Sequence, residues 1–253
     1  RTLDSGREKN MAVLGEGDLR VFRTFPKLLA CLAASGGNRT AIREKNFGIW
    51  QSWTWREYLV EARSLAGGLA ECGFQRGDKV AIIGDNRPEL YFGIMAAQML
   101  GGVPVPMYQD SIADEMVFIL DHAEVRFAVV EDQEQVDKLL AVREQLPKLE
   151  FIIFEDDRGL RHYDEPGLIS YADSVRRGAE FERGKPNFID EEIGKGEGED
   201  IAVMLYTSGT TGQPKGAMLS HNNLSSNALA LHKVWGFQKD DVLLHALPIF
   251  HVH

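Results

Sequence analysis

The strongest constraint on the fold is a regular alternation of short apolar runs and helix-like segments between residues 79 and 154. The runs are apolar without alternation, which is typical of strands that are covered on both faces. Strands that alternate with helices form parallel sheets with crossover connections. The pattern therefore predicts an α/β fold with a doubly wound, largely parallel sheet and flanking helices. The predicted strands are Lys79–Gly84, Val103–Met107, Arg126–Glu131 and Phe151–Phe154, and the predicted helices are Glu89–Leu100, a segment from Ser111 or Asp114 to about His122, and Gln133–Leu146.

Local signals predict further elements before this alternation. Apolar residues at helical spacing predict a helix over Phe25–Ala34, and a pair of glycines follows it. Two short runs, Thr40–Arg43 and Ser52–Trp55, predict a hairpin. Thr54 then caps a long helix, because Glu57 three residues later completes a capping box.

The later part of the chain is less regular. Residues 155–200 read as exposed connection apart from a helix at Tyr171–Phe181, and Gly194–Asp200 is expected to be a flexible, solvated acidic linker. Asp241–Ala246 is predicted to form a strand. Asparagines are expected to cap two helices: Asn86 before Pro88, and Asn222 or Asn223 before a helix that reaches about Trp235.

Composition limits the class of protein. The chain has 253 residues and a formal net charge of −10, which argues against a broad nucleic-acid-binding surface. Cys31 and Cys72 lie in apolar, helix-like segments, which predicts reduced, buried thiols and a cytoplasmic location. No signal peptide is visible, and residues 1–20 are expected to form a polar tail. Phe92–Tyr108 carries no charge, but glycines and prolines break it, so we interpret it as a buried helix, a turn and a buried strand.

The most informative stretch for function is Tyr206–Gly216, which reads Y-T-S-G-T-T-G-Q-P-K-G. Apolar runs on both sides predict a strand, a glycine-rich loop and a second strand. Gly209 and Gly212 allow backbone N–H groups to converge on one point, which creates a site for an anion. Hydroxyl groups add hydrogen-bond donors, and Lys215 adds a positive charge. The stretch therefore predicts a phosphate-binding loop.

Two other interpretations of this stretch are weaker. The Walker loop, G-x-x-x-x-G-K-S/T, places its lysine after the second glycine and opens a helix. In this chain Lys215 precedes Gly216, and β-rich residues follow. A surface turn rich in Ser, Thr and Gly is common, but this order of Gly, Thr, Pro and Lys over eleven residues is not.

The stretch resembles the signature loop of the adenylate-forming superfamily, which contains acyl-CoA synthetases, luciferases and the adenylation domains of peptide synthetases. The family pattern, aromatic-T-S-G-T-T-G-x-P-K-G, is complete here. Among the members, the chain looks most similar to bacterial long-chain fatty-acyl-CoA synthetases. Further similar segments occur in the family's order: Gly77–Ala81, Asn86–Glu89, Gly101–Pro106, and Leu247–His251, which matches an L-P-x-F-H block.

The resemblance implies that residues 21–253 are part of the large N-terminal domain of the adenylate-forming fold. In relatives that domain continues past the L-P-x-F-H block, and a small mobile C-terminal domain follows. We therefore expect an N-terminal fragment that lacks the C-terminal domain and is inactive by itself.

The resemblance also implies a reaction and roles for particular residues. A carboxylic acid, here a long-chain fatty acid, reacts with ATP to give an acyl-adenylate, and coenzyme A then takes the acyl group. Lys215 and His251 are the expected catalytic residues, His251 lying near the adenylate or the acyl carboxylate, and Thr207 is the expected Mg²⁺ ligand. The expected nucleotide-binding residues are Thr207, Ser208, Gly209, Thr210, Thr211, Gly212, Lys215 and Gly216.

Several alternatives stay open at this point. Thr207 is also readable as an ordinary strand-end threonine, and His251 as a packed histidine beside Phe250. An adenylating relative with another acceptor, such as an acyl-AMP ligase or a luciferase-like protein, fits the same loop, and so does a non-catalytic nucleotide-binding protein. The expected partners are small molecules, with peripheral membrane association as a further possibility. The acyl chain length and the oligomeric state are not predicted.

Overall fold

A computed structural model describes residues 23–207, 213–238 and 240–250 of the chain. Its strands fall into one parallel sheet and two hairpins. In chain order the strands are β1 Thr40–Asn46, β2 Ile49–Thr54, β3 Lys79–Ile83, β4 Val103–Met107, β5 Val125–Val130, β6 Phe151–Phe154, β7 Leu168–Ser170, β8 Ile201–Thr207 and β9 Lys215–Ser220.

Helices separate most of these strands. Thr54 and Glu57 form the predicted capping box at the second helix, with the Glu57 carboxylate accepting from the Thr54 N–H at 2.7 Å. The helices are α1 Phe25–Gly36, α2 Trp55–Glu71, α3 Pro88–Met99, α4 Ala113–His122, α5 Gln133–Ala141, α6 Tyr171–Gly184, α7 Phe188–Lys195 and α8 His221–Trp235, with a short 3-10 turn at Arg143–Gln145.

The central sheet has five strands in the order β4-β3-β5-β6-β7, and every pair is parallel. The chain therefore moves outward from β3 to β4 and then crosses back past β3 to β5. This confirms the predicted doubly wound α/β architecture. The hairpins β1-β2 and β8-β9 are antiparallel.

Alternate residues of the strands supply two separate cores, one on each face of the sheet. Val80 and Ile82 of β3 pack against α1, α2 and α3, together with Phe127 of β5. Ala81 and Ile83 point to the opposite face and pack against α4 and α5. All five side chains have no exposed surface. Because both faces are covered, the buried positions of these strands are apolar, which explains the apolar runs in the sequence, and the charged Lys79 and Arg126 stand at less buried positions near the strand starts.

The prediction for residues 155–200 was wrong in part. The helix expected at Tyr171–Phe181 is present as α6, but β7 and α7 were missed. Ile189 and Ile193 of α7 are buried one turn apart, Asp190 and Glu191 between them are exposed, and Glu192 pairs with Arg76. The segment 194–200 is also more ordered than the expected solvated linker. The carboxylate of Asp200 accepts from the Glu197 N–H at 2.9 Å, and the Gly198 carbonyl accepts from the Asn222 N–H at 2.8 Å.

The expected caps and the last strand also need correction. Asn86 makes no cap, since Arg87 takes the N-cap position of α3 without a side-chain hydrogen bond. Ser220 caps α8, and Asn223 is its capping-box partner. Asp241–Ala246 is not a strand, because no strand among the described residues pairs with it.

The two cysteines are free and only half-buried, and burial raises the pKa of both thiols. Phe92–Tyr108 forms the end of α3, a turn and β4, as predicted. Within the described ranges, no helix combines the length and the apolar character that crossing a membrane requires.

Candidate phosphate-binding site

The glycine-rich stretch joins two antiparallel strands, which confirms the predicted strand, loop and strand. Thr207 ends β8, Lys215 begins β9, and the two residues are register partners. Directly opposed residues in an antiparallel pair project from the same face. The loop of residues 208–214 therefore leaves a hairpin mouth that presents one hydroxyl and one ammonium group side by side. Both side chains are exposed.

Tyr206 and Gly216 hold this mouth in place. They are the next register pair, and a Cβ atom on Gly216 would lie 3.1 Å from Cζ of Tyr206. Glycine is therefore needed here for the tyrosine ring to lie across β9. The Tyr206 hydroxyl lies 2.6 Å from Nδ1 of His122, the last residue of α4. Burial raises the pKa of Tyr206, so the phenol stays protonated at neutral pH.

The other end of the hairpin is tied to the body of the protein. The Gln98 side-chain amide on α3 donates to the Ala202 carbonyl at 2.8 Å in a buried position. His221, the first residue of α8, donates its backbone N–H to the Asp200 carbonyl at 3.1 Å. Its imidazole Nδ1 accepts from the Phe25 N–H at 3.3 Å, and burial lowers the pKa of His221 to about 4 despite the opposing effect of Asp200. The hairpin thus has an anchored base and an exposed mouth.

Lys215 has no carboxylate partner in the described part of the chain, where none lies within ion-pair distance of its ammonium group. An exposed cation beside a hydroxyl group is suited to bind a phosphate. Six of the predicted site residues lie outside the described residues: Ser208, Gly209, Thr210, Thr211, Gly212 and His251.

The segment before His251 lines a cleft of about 520 Å³ at the carboxyl ends of β3 and β4. Asn86 holds this segment in place, a role that its position just before a helix did not indicate. Its side-chain amide donates to the Leu247 carbonyl at 2.8 Å, and its Oδ1 accepts from the Tyr91 hydroxyl at 3.3 Å. Phe250 packs edge-to-face on Tyr108, with ring centroids 4.8 Å apart. The residue that precedes His251 is therefore fixed against the end of β4.

The carboxyl ends of β3 and β5 form the switch point of the sheet, where ligands often bind in doubly wound folds. In this chain its own side chains occupy the crevice. Arg87 donates to Glu131 at 2.8 Å and to Glu44 at 2.6 Å, and these two hydrogen bonds raise its pKa. Glu131 also accepts from the Asp85 N–H at 2.7 Å. Arg87 and the two glutamates at this crevice therefore form ion pairs with one another.

Comparison with known proteins now decides the family. The AMP-binding enzyme family matches residues 31–253, which is most of the chain. This chain is an AMP-binding enzyme family member. The resemblance to the adenylate-forming superfamily is thereby confirmed.

Relatives of this family member include fatty-acid ligases. It is 29% identical over 221 residues to the long-chain-fatty-acid–CoA ligase ACSBG2 of Xenopus laevis, which is 85% of this chain and 29% of that protein. The human ACSBG2 is 29% identical over 232 residues, or 90% of this chain and 34% of that protein. The chain thus spans about a third of the length of these curated relatives.

Solved structures of acyl-CoA ligases share the fold. A putative long-chain-fatty-acid CoA ligase from Rhodopseudomonas palustris superposes with a TM-score of 0.71 at 25% identity, covering 90% of this chain and 52% of that one. The long-chain-fatty-acid-CoA ligase FadD1 of Archaeoglobus fulgidus also gives a TM-score of 0.71, at 26% identity, covering 90% of this chain and 43% of that one. These likenesses confirm the predicted fold class.

The donors of this AMP-binding family member fit Mg²⁺ only as an ion that is bound together with a nucleotide. No group of three or more His, Cys, Asp or Glu side chains that could hold a metal occurs among the described residues. The hairpin mouth offers the hydroxyl of Thr207 and, beside it, a cation. Mg²⁺ commonly keeps several waters and binds through substrate phosphates with few protein ligands. Thr207 is therefore the described residue suited to add a protein oxygen to such an ion.

Sequence reasoning missed two residues that position this site. His122 was assigned only as a helix end, and Asn86 was assigned as a cap and as part of the family-like segment Asn86–Glu89, with no role at the site. The aromatic residue at the start of the signature loop was a usable signal, since a tyrosine hydroxyl in a half-buried position needs a partner. No local pattern indicated that Asn86 binds the carbonyl of a residue that lies 161 positions away.

Proposed function

We propose that this chain carries the phosphate-binding part of an enzyme that activates a carboxylic acid with ATP. The observation that carries the proposal is Lys215, which is exposed, lies opposite Thr207 at the mouth of the loop hairpin and pairs with no carboxylate of the described residues. Family membership supplies the reaction class. The names of the curated relatives favour a long-chain fatty acid as the substrate and coenzyme A as the acceptor.

The chemistry explains why an anion site is needed. The substrate carboxylate attacks the α-phosphorus of ATP, pyrophosphate leaves, and a thiol then attacks the activated acyl group. Both reactants of the first step are anionic, so the protein has to position them and to neutralise charge. In our proposal residues 208–212 surround the β- and γ-phosphates, and Lys215 offsets the charge that collects on the departing pyrophosphate. His251 lies near the acyl carboxylate, one residue beyond the packed Phe250.

Mg²⁺, when bound, neutralises phosphate charge and orients the phosphate chain. Thr207 would supply the protein oxygen. The rest of the site comes, in this proposal, from the part of the relatives' length that lies outside this chain. The partners are small molecules, and the protein acts in the cytoplasm.

The test uses a longer protein that contains these 253 residues and has the length of the curated relatives. Purified protein is given ATP, Mg²⁺ and fatty acids of graded length, and acid-dependent exchange between ATP and pyrophosphate is measured with and without coenzyme A. We expect exchange with long-chain acids, and an acyl-CoA product when coenzyme A is present. Exchange without any acyl-CoA product would assign the protein to ligases with another acceptor. The absence of exchange with every acid would overturn the proposal and leave a non-catalytic nucleotide-binding protein.

The 253-residue chain by itself provides a second test. Incubated with ATP, Mg²⁺ and palmitate, it should release no pyrophosphate beyond the background, because loss of site groups costs orders of magnitude in rate. Robust turnover that depends on the fatty acid would show that the 253 residues contain the whole catalytic apparatus.

A further inference from the structure

The β1-β2 hairpin ends in an unusual exposed tip. Phe47 and Gly48 connect the strands with φ values of 46° and 82°. Two-residue hairpin turns with positive φ at both positions favour Asn-Gly or Asp-Gly, and a bulky residue at the first position is strained. The Phe47 side chain is 83% exposed, so burial does not compensate for the strain. The guanidinium of Arg158 lies 5.6 Å from the centroid of the Phe47 ring, and the ring is otherwise exposed at a position where a polar residue would be more stable.

Apolar residues next to the turn extend this tip. Ile49 is 65% exposed and Trp50 is 55% exposed, although both belong to β2. With Phe47 they form three exposed large apolar side chains within four positions. Soluble surfaces seldom keep such a cluster free, so it indicates an interaction site.

Two cations, Arg43 and Lys45, lie next to the tip, whereas the one acidic residue of this strand, Glu44, lies on the opposite face. Lys45 is the register partner of Trp50, and the Arg43 guanidinium lies 5.0 Å from the Trp50 ring centroid. Neither cation lies within ion-pair distance of a carboxylate in the described parts of the chain. Glu44 lies on the opposite face of the hairpin, the face that Ile49 shares, and its carboxylate accepts from Arg87 at 2.6 Å. The tip is therefore a small aromatic and basic surface on a chain whose net charge is −10.

We propose that the hairpin tip, defined by Arg43, Lys45, Phe47, Ile49 and Trp50, docks peripherally on an anionic lipid bilayer. Aromatic side chains partition to the interface between headgroups and acyl chains, and flanking Lys and Arg are attracted by anionic headgroups. Because most of the chain is acidic, the same bilayer repels the rest of its surface, and contact is confined to this tip. The proposal goes beyond the proposed function and does not depend on it.

The test measures sedimentation of the longer protein, in which these residues occur, with vesicles of phosphatidylcholine alone and vesicles with about a third phosphatidylserine. We expect binding to the anionic vesicles that weakens as salt is raised. The decisive variant is Phe47→Asn, since Asn-Gly suits the turn and should leave the hairpin folded. It should lower the affinity tenfold or more, because burying a phenylalanine ring contributes about that much. The double variant Arg43→Gln/Lys45→Gln should remove the preference for anionic vesicles, at about fivefold per cation.

A matched control separates the tip from other exposed apolar residues. Leu244 is 85% exposed in the segment after α8, and Leu244→Asn should leave vesicle binding unchanged. Equal binding of wild type and Phe47→Asn would overturn the proposal, and so would a loss caused only by Leu244→Asn. Failure of the wild type to bind anionic vesicles would overturn it as well and would leave a protein partner as the explanation for the tip.

Discussion

Two cations near sheet ends illustrate opposite uses of charge in this molecule. Arg87, at the crevice between β3 and β5, donates to Glu44 and Glu131 and has its pKa raised by them. Lys215, at the mouth of the β8-β9 hairpin, is exposed, and no described carboxylate pairs with it. The first charge is satisfied within the fold and the second is open to a ligand. If the proposed function holds, the pairing of the charges is a better guide to the site than position at the carboxyl end of the parallel sheet.

The largest effect that this comparison predicts is on catalysis. In the longer protein, Lys215→Ala should lower acid-dependent exchange between ATP and pyrophosphate by about one to three orders of magnitude, the usual cost of one preorganised charge. The melting temperature should hardly change, because Lys215 is exposed. Lys148→Ala removes an exposed lysine that pairs with Glu124, and it should leave exchange intact. An exchange rate within twofold of wild type for Lys215→Ala would remove this lysine from the mechanism.

The imidazole of His221 gives a second contrast with Lys215, because it is buried and bonded within the fold. Its neutral imidazole accepts from the Phe25 N–H, and burial holds its pKa at about 4, below the ordinary value of 6.5. As the pH falls, the imidazole of His221 is protonated in the unfolded chain at a higher pH than in the folded protein. The stability that His221 contributes is thus complete above pH 6.5 and is lost between pH 6.5 and 4, by roughly 3 kcal/mol.

Denaturant titrations at several pH values check this. His221→Gln should flatten the fall in the free energy of unfolding between pH 6.5 and 4. His232→Gln changes an exposed histidine of the same helix and should keep the wild-type slope. Identical slopes for the wild type and His221→Gln would contradict the assignment.

Arg87→Ala should lower the stability of the fold and leave ATP binding intact, which is the reverse of the effect expected for Lys215→Ala. It leaves Glu44 and Glu131 without their partner, so we expect a loss of about 2 kcal/mol in the free energy of unfolding. The affinity for ATP should stay within twofold of wild type at a temperature where the variant is folded. If Arg87→Ala abolished ATP binding without changing stability, the assignment of Arg87 to the fold and of Lys215 to the ligand would be wrong.

The smallest effect concerns Glu155, which lies near this crevice. Burial, followed by the neighbouring Glu89 and Asp156, raises the pKa of Glu155 to about 7. A carboxyl group with a raised pKa favours folding below pH 4.5, and that contribution is lost as the pH rises through 7. Glu155→Gln should therefore stabilise the protein at pH 8 and not at pH 4. The gain should stay below about 1 kcal/mol, because the side chain is only half-buried and solvent screens it.

A carboxylate of opposite behaviour serves as the control. Glu150 pairs with Arg126 at 2.9 Å, which lowers the pKa of Glu150. Glu150→Gln should destabilise the protein slightly at pH 8. If both variants shifted the melting temperature in the same direction, the difference between their surroundings would not explain their pKa values.

The sequence predicted the sheet and the loop hairpin because both have strong local signals. The strands β3 to β6 are apolar except for Lys79 and Arg126 near their starts, since both faces are buried, and the turn chemistry of residues 206–216 has few alternatives. The three-residue strand β7 is too short to show a pattern. Helix α7 was hidden by its acidic composition, although Ile189 and Ile193 are spaced one turn apart.

The failures depend on contacts between distant segments. Residues 242–244 are apolar and Val242 is 89% exposed. An apolar run forms a strand only where a neighbouring strand can pair with it. Asn86 resembles a helix cap, but its amide binds Leu247 instead. Of the predicted site, the structure brings Thr207 and Lys215 together in register. The roles of these two residues stay predictions, as do those of Gly216, His251 and residues 208–212.

The central claim is that Lys215 binds the β- and γ-phosphates, and nucleotide binding tests it most directly. The affinities of wild type and Lys215→Ala for ATP and for AMP are measured by calorimetry on the longer protein in the presence of Mg²⁺. AMP lacks both of these phosphates. The account predicts that Lys215→Ala weakens ATP binding about tenfold or more, as the loss of a charge-assisted contact should, and leaves AMP binding unchanged. An equal loss for both nucleotides, or no loss for ATP, would contradict it.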